Sequence, residues 1–273
     1  MADHKKIRHI LGISGGKDSA ALAVYMRDKV QEMEYFFCDT GVELSETYDY
    51  LHQLEKYLGK TIQRLNPEQP FDYRLNLNGN FLPSPRQRWC TIELKLKPLE
   101  RFVGRDEAVS YVAIRADEDN RKGYISPKDN IKAVYPFKEA GIKKAGVYKI
   151  LEDAGLGLPK YYEWRTRSGC YFCFFQRKYE WIGLKENHPD LFEKAKQYEK
   201  YDAKTGKRYI WNQDESLEEM SRPERVEEIK VRHTQKMEKE LETFRKAEKP
   251  LYQVFEEVLE EDDNETPCLI CNL

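Results

Sequence analysis

The stretch IRHILGISGGKDSAALAVYM, Ile7 to Met26, decides the fold. Ile7 to Ile13 is an apolar run of strand length and Ala20 to Met26 is helix-like, so the six residues between them, Ser14-Gly15-Gly16-Lys17-Asp18-Ser19, form a turn from strand to helix. Two glycines let the backbone turn sharply and come close to a ligand, and the free N–H groups of the new helix point into the turn beside a lysine. Such a turn binds phosphate. It is not the Walker loop, because the spacing G-x-x-x-x-G-K-[ST] is absent. The plainer alternative is an ordinary glycine-rich turn with Asp18 and Ser19 as helix caps; the flanking pattern and the motifs further along weigh against it.

Working outward, Met33 to Cys38 is a second strand-length run that ends at Asp39-Thr40-Gly41. Glu46 to Leu58 has helical spacing and closes on Gly59, and Thr61 to Leu65 is a third short strand. Strand and helix alternating at this pitch predict parallel strands with crossover helices, hence an α/β fold of Rossmann type with helices on both faces of the sheet. Ligands of such sheets bind at the carboxyl ends of the strands, where both Ser14 to Ser19 and Asp39 to Gly41 fall. Asn66 to Arg88 reads as a long loop, Ile92 to Phe102 as a helix despite Pro98, Ala108 to Ile114 as a strand and Lys143 to Ala154 as a helix. Beyond Cys173 the pattern becomes charged and helical, over Lys178 to Lys200 and Pro223 to Glu261. The expected organisation is a nucleotide-binding domain at 1–173 followed by a helical extension at 174–273 that ends in a C-x-x-C pair.

The 273 residues suffice for a large core, and the charged share of 34% with a mean hydropathy of −0.81 predicts a soluble chain. No apolar run approaches the length of a membrane span and the start lacks a signal-like core, so a cytoplasmic protein is expected. In that compartment six cysteines point to metal ligands or reactive thiols rather than disulfides. The net charge of −2 is unevenly spread: residues 81 to 180 hold 20 Lys/Arg against 13 Asp/Glu, and Leu251 to Glu265 holds seven acids and no base. A basic middle suits a polyanion such as a nucleotide or nucleic acid, although solvated faces account equally well for charge alone.

The hexapeptide Ser14 to Ser19 resembles the PP-loop, the pyrophosphate-binding motif of enzymes that split ATP between its α and β phosphates. Asp39-Thr40-Gly41 followed by Glu46-Thr47-Tyr48 resembles the second signature of the phosphoadenosine phosphosulfate reductase family, with Ser45 in place of the usual proline. Cys90 to Leu99, Ile114 to Glu118 with Arg121, Tyr135-Pro136-Phe137 and Ser168 to Cys173 continue the series in order, over about residues 7 to 175. The resemblance implies that Ser14, Gly15, Gly16, Lys17, Asp18 and Ser19 grip the phosphates of ATP, that Asp39, Thr40 and Gly41 lie near the nucleotide, and that Arg115 and Arg121 clamp phosphate oxygens. Each arginine has a surface ion pair as its ordinary alternative. Lys17, Asp18 and Asp39 are the expected catalytic residues, with Asp18 or Asp39 helping to place Mg²⁺.

Cys170 and Cys173 form a C-x-x-C, and Cys90 lies 80 residues before Cys170. Short pairs combined with a distant cysteine are the ligands of iron–sulfur clusters. Cluster-bearing reductases carry a double cysteine at the first element, but Trp89 precedes Cys90 here, which leaves three ligands. Related PP-loop thiolation enzymes hold a [4Fe–4S] cluster with one open iron in this way, and the expectation is that Cys90, Cys170 and Cys173 do the same. Two rivals remain: a four-cysteine Zn²⁺ site from Cys170, Cys173, Cys268 and Cys271, and a mobile dithiol at Cys268 and Cys271. Cys38 ends a buried strand and belongs to the core.

The resemblance is strongest to the PP-loop component of DNA phosphorothioation systems, which implies adenylation of a nucleic-acid substrate, insertion of sulfur and a cysteine desulfurase as donor. A tRNA thiolation enzyme is the neighbouring reading. A sulfonucleotide reductase is the runner-up, disfavoured by the presence of Lys17 and Asp18. A non-catalytic ATP-sensing subunit is the reading from another class.

Overall fold

The computed structural model describes residues 7–118, 121, 128–203, 206–212 and 214–245. The chain opens with β1 (Arg8–Gly12), α1 (Lys17–Met26), β2 (Met33–Cys38), α2 (Ser45–Leu58) and β3 (Ile62–Leu65). There follow α3 (Phe71–Leu77), α4 (Trp89–Thr91), a π-helical turn at Ile92–Leu96 and α5 (Lys97–Val103). The sheet is completed by β4 (Ala108–Tyr111) and β5 (Ile131–Val134), after which come α6 (Pro136–Glu139) and α7 (Lys144–Asp153). Five parallel strands stand in the order β3-β2-β1-β4-β5, so β1 is central and the strand order reverses beside it.

Both faces of the sheet are covered, and the strand residues divide between them with period two. Leu11, Tyr35 and Phe37 pack with α1, α2 and α7. Ile10, Phe36 and Cys38 point the other way, onto Leu99 and Val103 of α5. The α/β arrangement with helices on both faces is therefore as the sequence predicts. Cys38 is 2% exposed in that second layer, and burial pushes its thiol up to about 12, as befits a core residue.

The structure adds local detail to the sequence reading. The loop expected at Asn66 to Arg88 contains α3, because Phe71 and Leu75, four apart, turn one helical face into an aromatic core after Pro70. The helix around Pro98 survives because the π turn precedes it. Lys97 N–H reaches back five residues to Ile92 O, which widens the helix where a proline ring would otherwise strike the preceding turn. Strand β5 was not foreseen, since Ile131-Lys132-Ala133-Val134 is a four-residue edge strand with a lysine in it.

The C-terminal part contains a 3-10 turn (Lys160–Glu163), α8 (Lys178–Asn187), α9 (Pro189–Tyr198), the antiparallel pair β6 (Lys200–Asp202) and β7 (Lys207–Tyr209), α10 (Leu217–Met220) and α11 (Pro223–Arg245). The helix expected at Lys178 to Lys200 is thus two helices, divided at His188 by Pro189, which opens the second. Between α9 and α10 the chain pairs as a short hairpin. Trp181, Phe192, Trp211, Leu217 and Met220 of this part share one core with Leu44, Phe71, Leu94 and Phe172. The apolar packing therefore runs across residue 173 without a break. The helix expected beyond residue 245, the acidic tail, Cys268 and Cys271 lie outside the described residues.

Candidate active site

Three carboxyl ends of strands meet at one edge of the sheet. Ser14 to Ser19 follows β1, Asp39 to Gly41 follows β2, and Arg115 to Glu118 follows β4. In the first of these, Gly15 has φ +77°, and a Cβ there would lie 2.5 Å from Thr47 Cγ2 of α2. Glycine is required twice over, for the backbone and for the space. Ser19 ties the turn together: its hydroxyl accepts from Ser14 N–H at 3.0 Å and donates to Gly16 O at 3.2 Å. It is an internal brace of the loop, while Gly16 itself holds the helix-cap position.

Lys17 begins α1 and is only 8% exposed, with Nζ 3.4 Å from Asp18 Oδ2. Arg115, 4% exposed, reaches the other Asp18 oxygen at 3.1 Å and Asp117 at 3.0 Å. Burial alone would raise the Asp18 carboxyl, but Lys17 and Arg115 outweigh it and hold the group down at about 2. Burial likewise opposes the Lys17 ammonium, and Asp18 more than offsets it, so the lysine stays charged. Both oxygens of Asp18 are thus occupied by cations, and Arg115 is already engaged by two carboxylates. Arg121 pairs with Glu118, which also accepts from Arg115 N–H at 2.9 Å.

At the end of β2, Asp39 Oδ1 accepts from Tyr48 OH at 2.7 Å and from Gly41 N–H at 3.0 Å. Both bonds fall on one of the two carboxylate oxygens. Thr40 donates to Glu43 at 2.8 Å and stands 3.5 Å from Cys170 Sγ.

The segment Ser168 to Cys173 bridges the first two loops. Ser168 Oγ donates to Ser14 Oγ at 3.2 Å, Tyr171 N–H donates to Val42 O at 2.9 Å, and Cys170 lies against Thr40 and Glu43. Just upstream, Tyr161 OH donates to Gly15 O at 2.7 Å, and Tyr162 accepts from Lys17 N–H at 3.2 Å with its ring 5.5 Å from Lys17 Nζ. Arg165, 1% exposed, donates to Gly169 O at 3.1 Å and to Cys170 O at 2.9 Å, so a buried guanidinium braces the cysteine turn. Sequence reading missed Tyr161, Tyr162 and Arg165, and named Ser168 only as the start of the cysteine motif. Their one signal is adjacency, since Tyr161 to Ser168 leads directly into the C-x-x-C.

The expected metal ligands lie near one another. Burial pushes the Cys90 thiol up to about 11, with Cys173 adding to it, and burial with Glu43 pushes the Cys170 thiol well above its ordinary value. Lys95, on the π turn, faces the same place: burial opposes its charge, while Glu43 and Cys170 favour it. Soft thiol donors of this kind suit iron–sulfur or zinc. Among the described residues, no three His, Cys, Asp or Glu side chains stand as a closed ligand set. The donor chemistry fits a soft metal centre.

Residues 8–134 match the family model described as the phosphoadenosine phosphosulfate reductase domain. The chain is similar to two uncharacterised proteins of Methanocaldococcus jannaschii. One is 24% identical over 209 residues, covering 71% of this chain and 48% of the relative; the other is 28% identical over 198 residues, covering 68% and 40%. It therefore spans less than half the length of either. An uncharacterised nin-region protein of Escherichia phage lambda is 28% identical over 207 residues, covering 64% of this chain and 68% of its own. A crystal structure of phosphoadenylyl-sulfate reductase from Candida auris, in complex with phosphate, is similar at 14% identity and a TM-score of 0.48, over 62% of this chain and 84% of that one. Among the described residues no helix is long and apolar enough to cross a membrane.

Proposed function

We propose that this chain is an ATP pyrophosphatase that adenylates an oxygen of a nucleic-acid substrate so that sulfur can replace it, as in DNA phosphorothioation. One observation carries the reading: the cysteine segment is fastened to both nucleotide loops, through Ser168 to Ser14 and through Cys170 to Thr40. Sulfur chemistry and phosphate chemistry then share one edge of the sheet.

The substrate oxygen attacks the α-phosphorus of ATP, the bond to the β-phosphate oxygen breaks, and pyrophosphate leaves. Sulfide then displaces AMP, which carries away the original oxygen. The chain's part is position and charge. Lys17 and the first-turn amides of α1 attract the departing pyrophosphate, and Tyr161 with Ser168 keeps the loop in shape. Asp39 is the carboxylate that would hold Mg²⁺, which needs only one or two protein ligands when phosphates supply the others. Cys90, Cys170 and Cys173 are the residues that would hold a [4Fe–4S] cluster, and a bound cluster would supply a site for sulfide. A cysteine desulfurase is the proposed sulfur donor, and the cytoplasm the proposed setting.

The match to the reductase domain favours a second reading, reduction of a sulfonucleotide without ATP cleavage. The full chain incubated with ATP, Mg²⁺ and nucleic acid separates the two. Pyrophosphate released by wild type and not by Lys17→Ala supports adenylation. Thioredoxin-dependent sulfite release from adenylyl sulfate with ATP left intact would establish the reductase instead.

A further inference from the structure

Beside the cysteines lies a second positively charged group that no carboxylate satisfies. Arg88 ends the loop before α4, two residues from Cys90, and its Nε and Nη2 are buried without hydrogen-bond partners. The guanidinium carbon lies 5.4 Å from the centre of the Phe175 ring, and Arg167 lies 4.8 Å from the same ring. Arg167 spends one N–H on Phe175 O. The groups acting on Arg88 are its burial, the Cys90 and Cys173 thiols and the like charge of Arg167. Among the described residues neither arginine forms a salt bridge; Arg167 does act on the buried Glu180 carboxylate and favours its charge, whereas no carboxylate acts on Arg88. Elsewhere in the chain half-buried arginines do find carboxylates: Arg8 has Glu34, Arg74 has Glu93 and Arg225 has Glu215.

Two guanidinium groups around one aromatic ring repel each other, and buried N–H donors without acceptors are costly. Such an arrangement is stabilised when an anion arrives with oxygens for those donors. We propose that Arg88 and Arg167, gathered on Phe175 next to Cys90 and Cys173, form a binding site for a tetrahedral oxyanion carried by the substrate. The site is separate from the phosphate loop, which uses Lys17 and the amides of α1. Its chemistry is that of a phosphate or sulfate group, so a backbone phosphodiester and a sulfonucleotide are its two possible sources. The assignment to a phosphodiester rests on the function proposed above; the anion site itself does not.

The test uses the full chain with its phosphate loop filled by α,β-methylene-ATP and Mg²⁺, titrated with sodium sulfate and followed by thermal unfolding. Wild type should rise in Tm with sulfate and Lys17→Ala, without the analogue, should still do so, whereas Arg88→Gln and Arg167→Gln should lose the response. Arg88→Gln without sulfate should melt no lower than wild type, since it removes an unpartnered charge; this also verifies folding. A sulfate response that persists in both arginine variants, or that is absent from wild type, would overturn the site. The source is read from a labelled 12-nucleotide single strand and from adenylyl sulfate. A loss of about tenfold or more in Arg88→Gln for the oligonucleotide assigns a phosphodiester, and the same loss for adenylyl sulfate alone assigns a sulfonucleotide. The second outcome would keep the site and remove the nucleic-acid reading; no loss with either probe would overturn the site as a substrate subsite.

Discussion

Replacing Gly16 by alanine tests the junction between the phosphate loop and the cysteine segment more directly than any change to a charged residue. Gly16 has φ −96° and ψ 168°, which any L residue adopts, so an added methyl acts through space and not through backbone strain. That methyl would lie 2.8 Å from Ser168 Oγ and 3.3 Å from Ser168 Cβ. Ser168 has little freedom to retreat, because its hydroxyl is held by Ser14 and the next residue's carbonyl by Arg165. Crowding of this kind costs about 1–3 kcal/mol, equivalent to a fall in Tm of roughly 2–10 °C for a chain of this size. Ser168→Ala alone forfeits one hydrogen bond, about 0.5–1.5 kcal/mol. The two together remove the 2.8 Å contact, so the double variant should be more stable than the sum of the singles by about 1 kcal/mol. Thermal unfolding of the four proteins, with and without an ATP analogue and Mg²⁺, measures the cycle. Strict additivity, or a Gly16→Ala protein as stable as wild type, would show that the two segments do not press on one another.

Lys17→Ala should abolish pyrophosphate release while leaving any partner complex assembled; a pure ATP sensor would instead lose the assembly. Because the Asp18 carboxyl is held down at about 2 against an ordinary value of 3.8, its contribution to stability is full above about pH 4 and is lost as pH falls toward 2. Asp18→Asn should therefore flatten the acid limb of a Tm-against-pH curve in that window, and an unchanged limb would place the acid sensitivity elsewhere. Removing the brace with Arg165→Met should cost about 2–4 kcal/mol by leaving two buried carbonyls unpaired, and should speed alkylation of Cys170 measured by peptide mass spectrometry. Anaerobically purified protein should contain iron and sulfide in near-equal amounts and lose its visible absorption in Cys90→Ala; a single zinc that survives this change would move the metal to the two C-x-x-C pairs.

The sheet was legible because its two central strands announce themselves twice. Ile7 to Ile13 and Met33 to Cys38 are apolar on both faces, as a strand covered by helices on either side must be, and each ends in a polar turn that such a strand has no other reason to carry. Strand β5 lacks that mark because at the edge of the sheet Lys132 is exposed, and alternation over four residues is a weak signal. Helix α3 was hidden by the prolines and asparagines around it, and only tertiary contact of Phe71 with Phe172 and Trp89 reveals its purpose. The loop residues of the site could be read locally, since a turn after a strand is a local object. Its roof could not. Tyr161 and Ser168 meet Gly15 and Ser14 across 146 and 154 residues of chain, and no spacing rule reaches so far.

The π turn at Ile92–Leu96 has a consequence for how chains of this kind diverge. A helix that takes in one extra residue over a single turn moves everything before it by one step relative to everything after, about 100° of rotation and 1.5 Å of rise. The bearing of Cys90 is therefore fixed by an insertion lodged between it and Pro98, not by the side chain at any position. Deleting one residue from the turn would restore an even spiral and swing the thiol to a different side of the helix while keeping every neighbouring letter of the sequence. Where two such chains carry the same cysteine, the placement of a one-residue gap between cysteine and proline, more than any match of residue types, tells whether the two sulfurs look toward the same place.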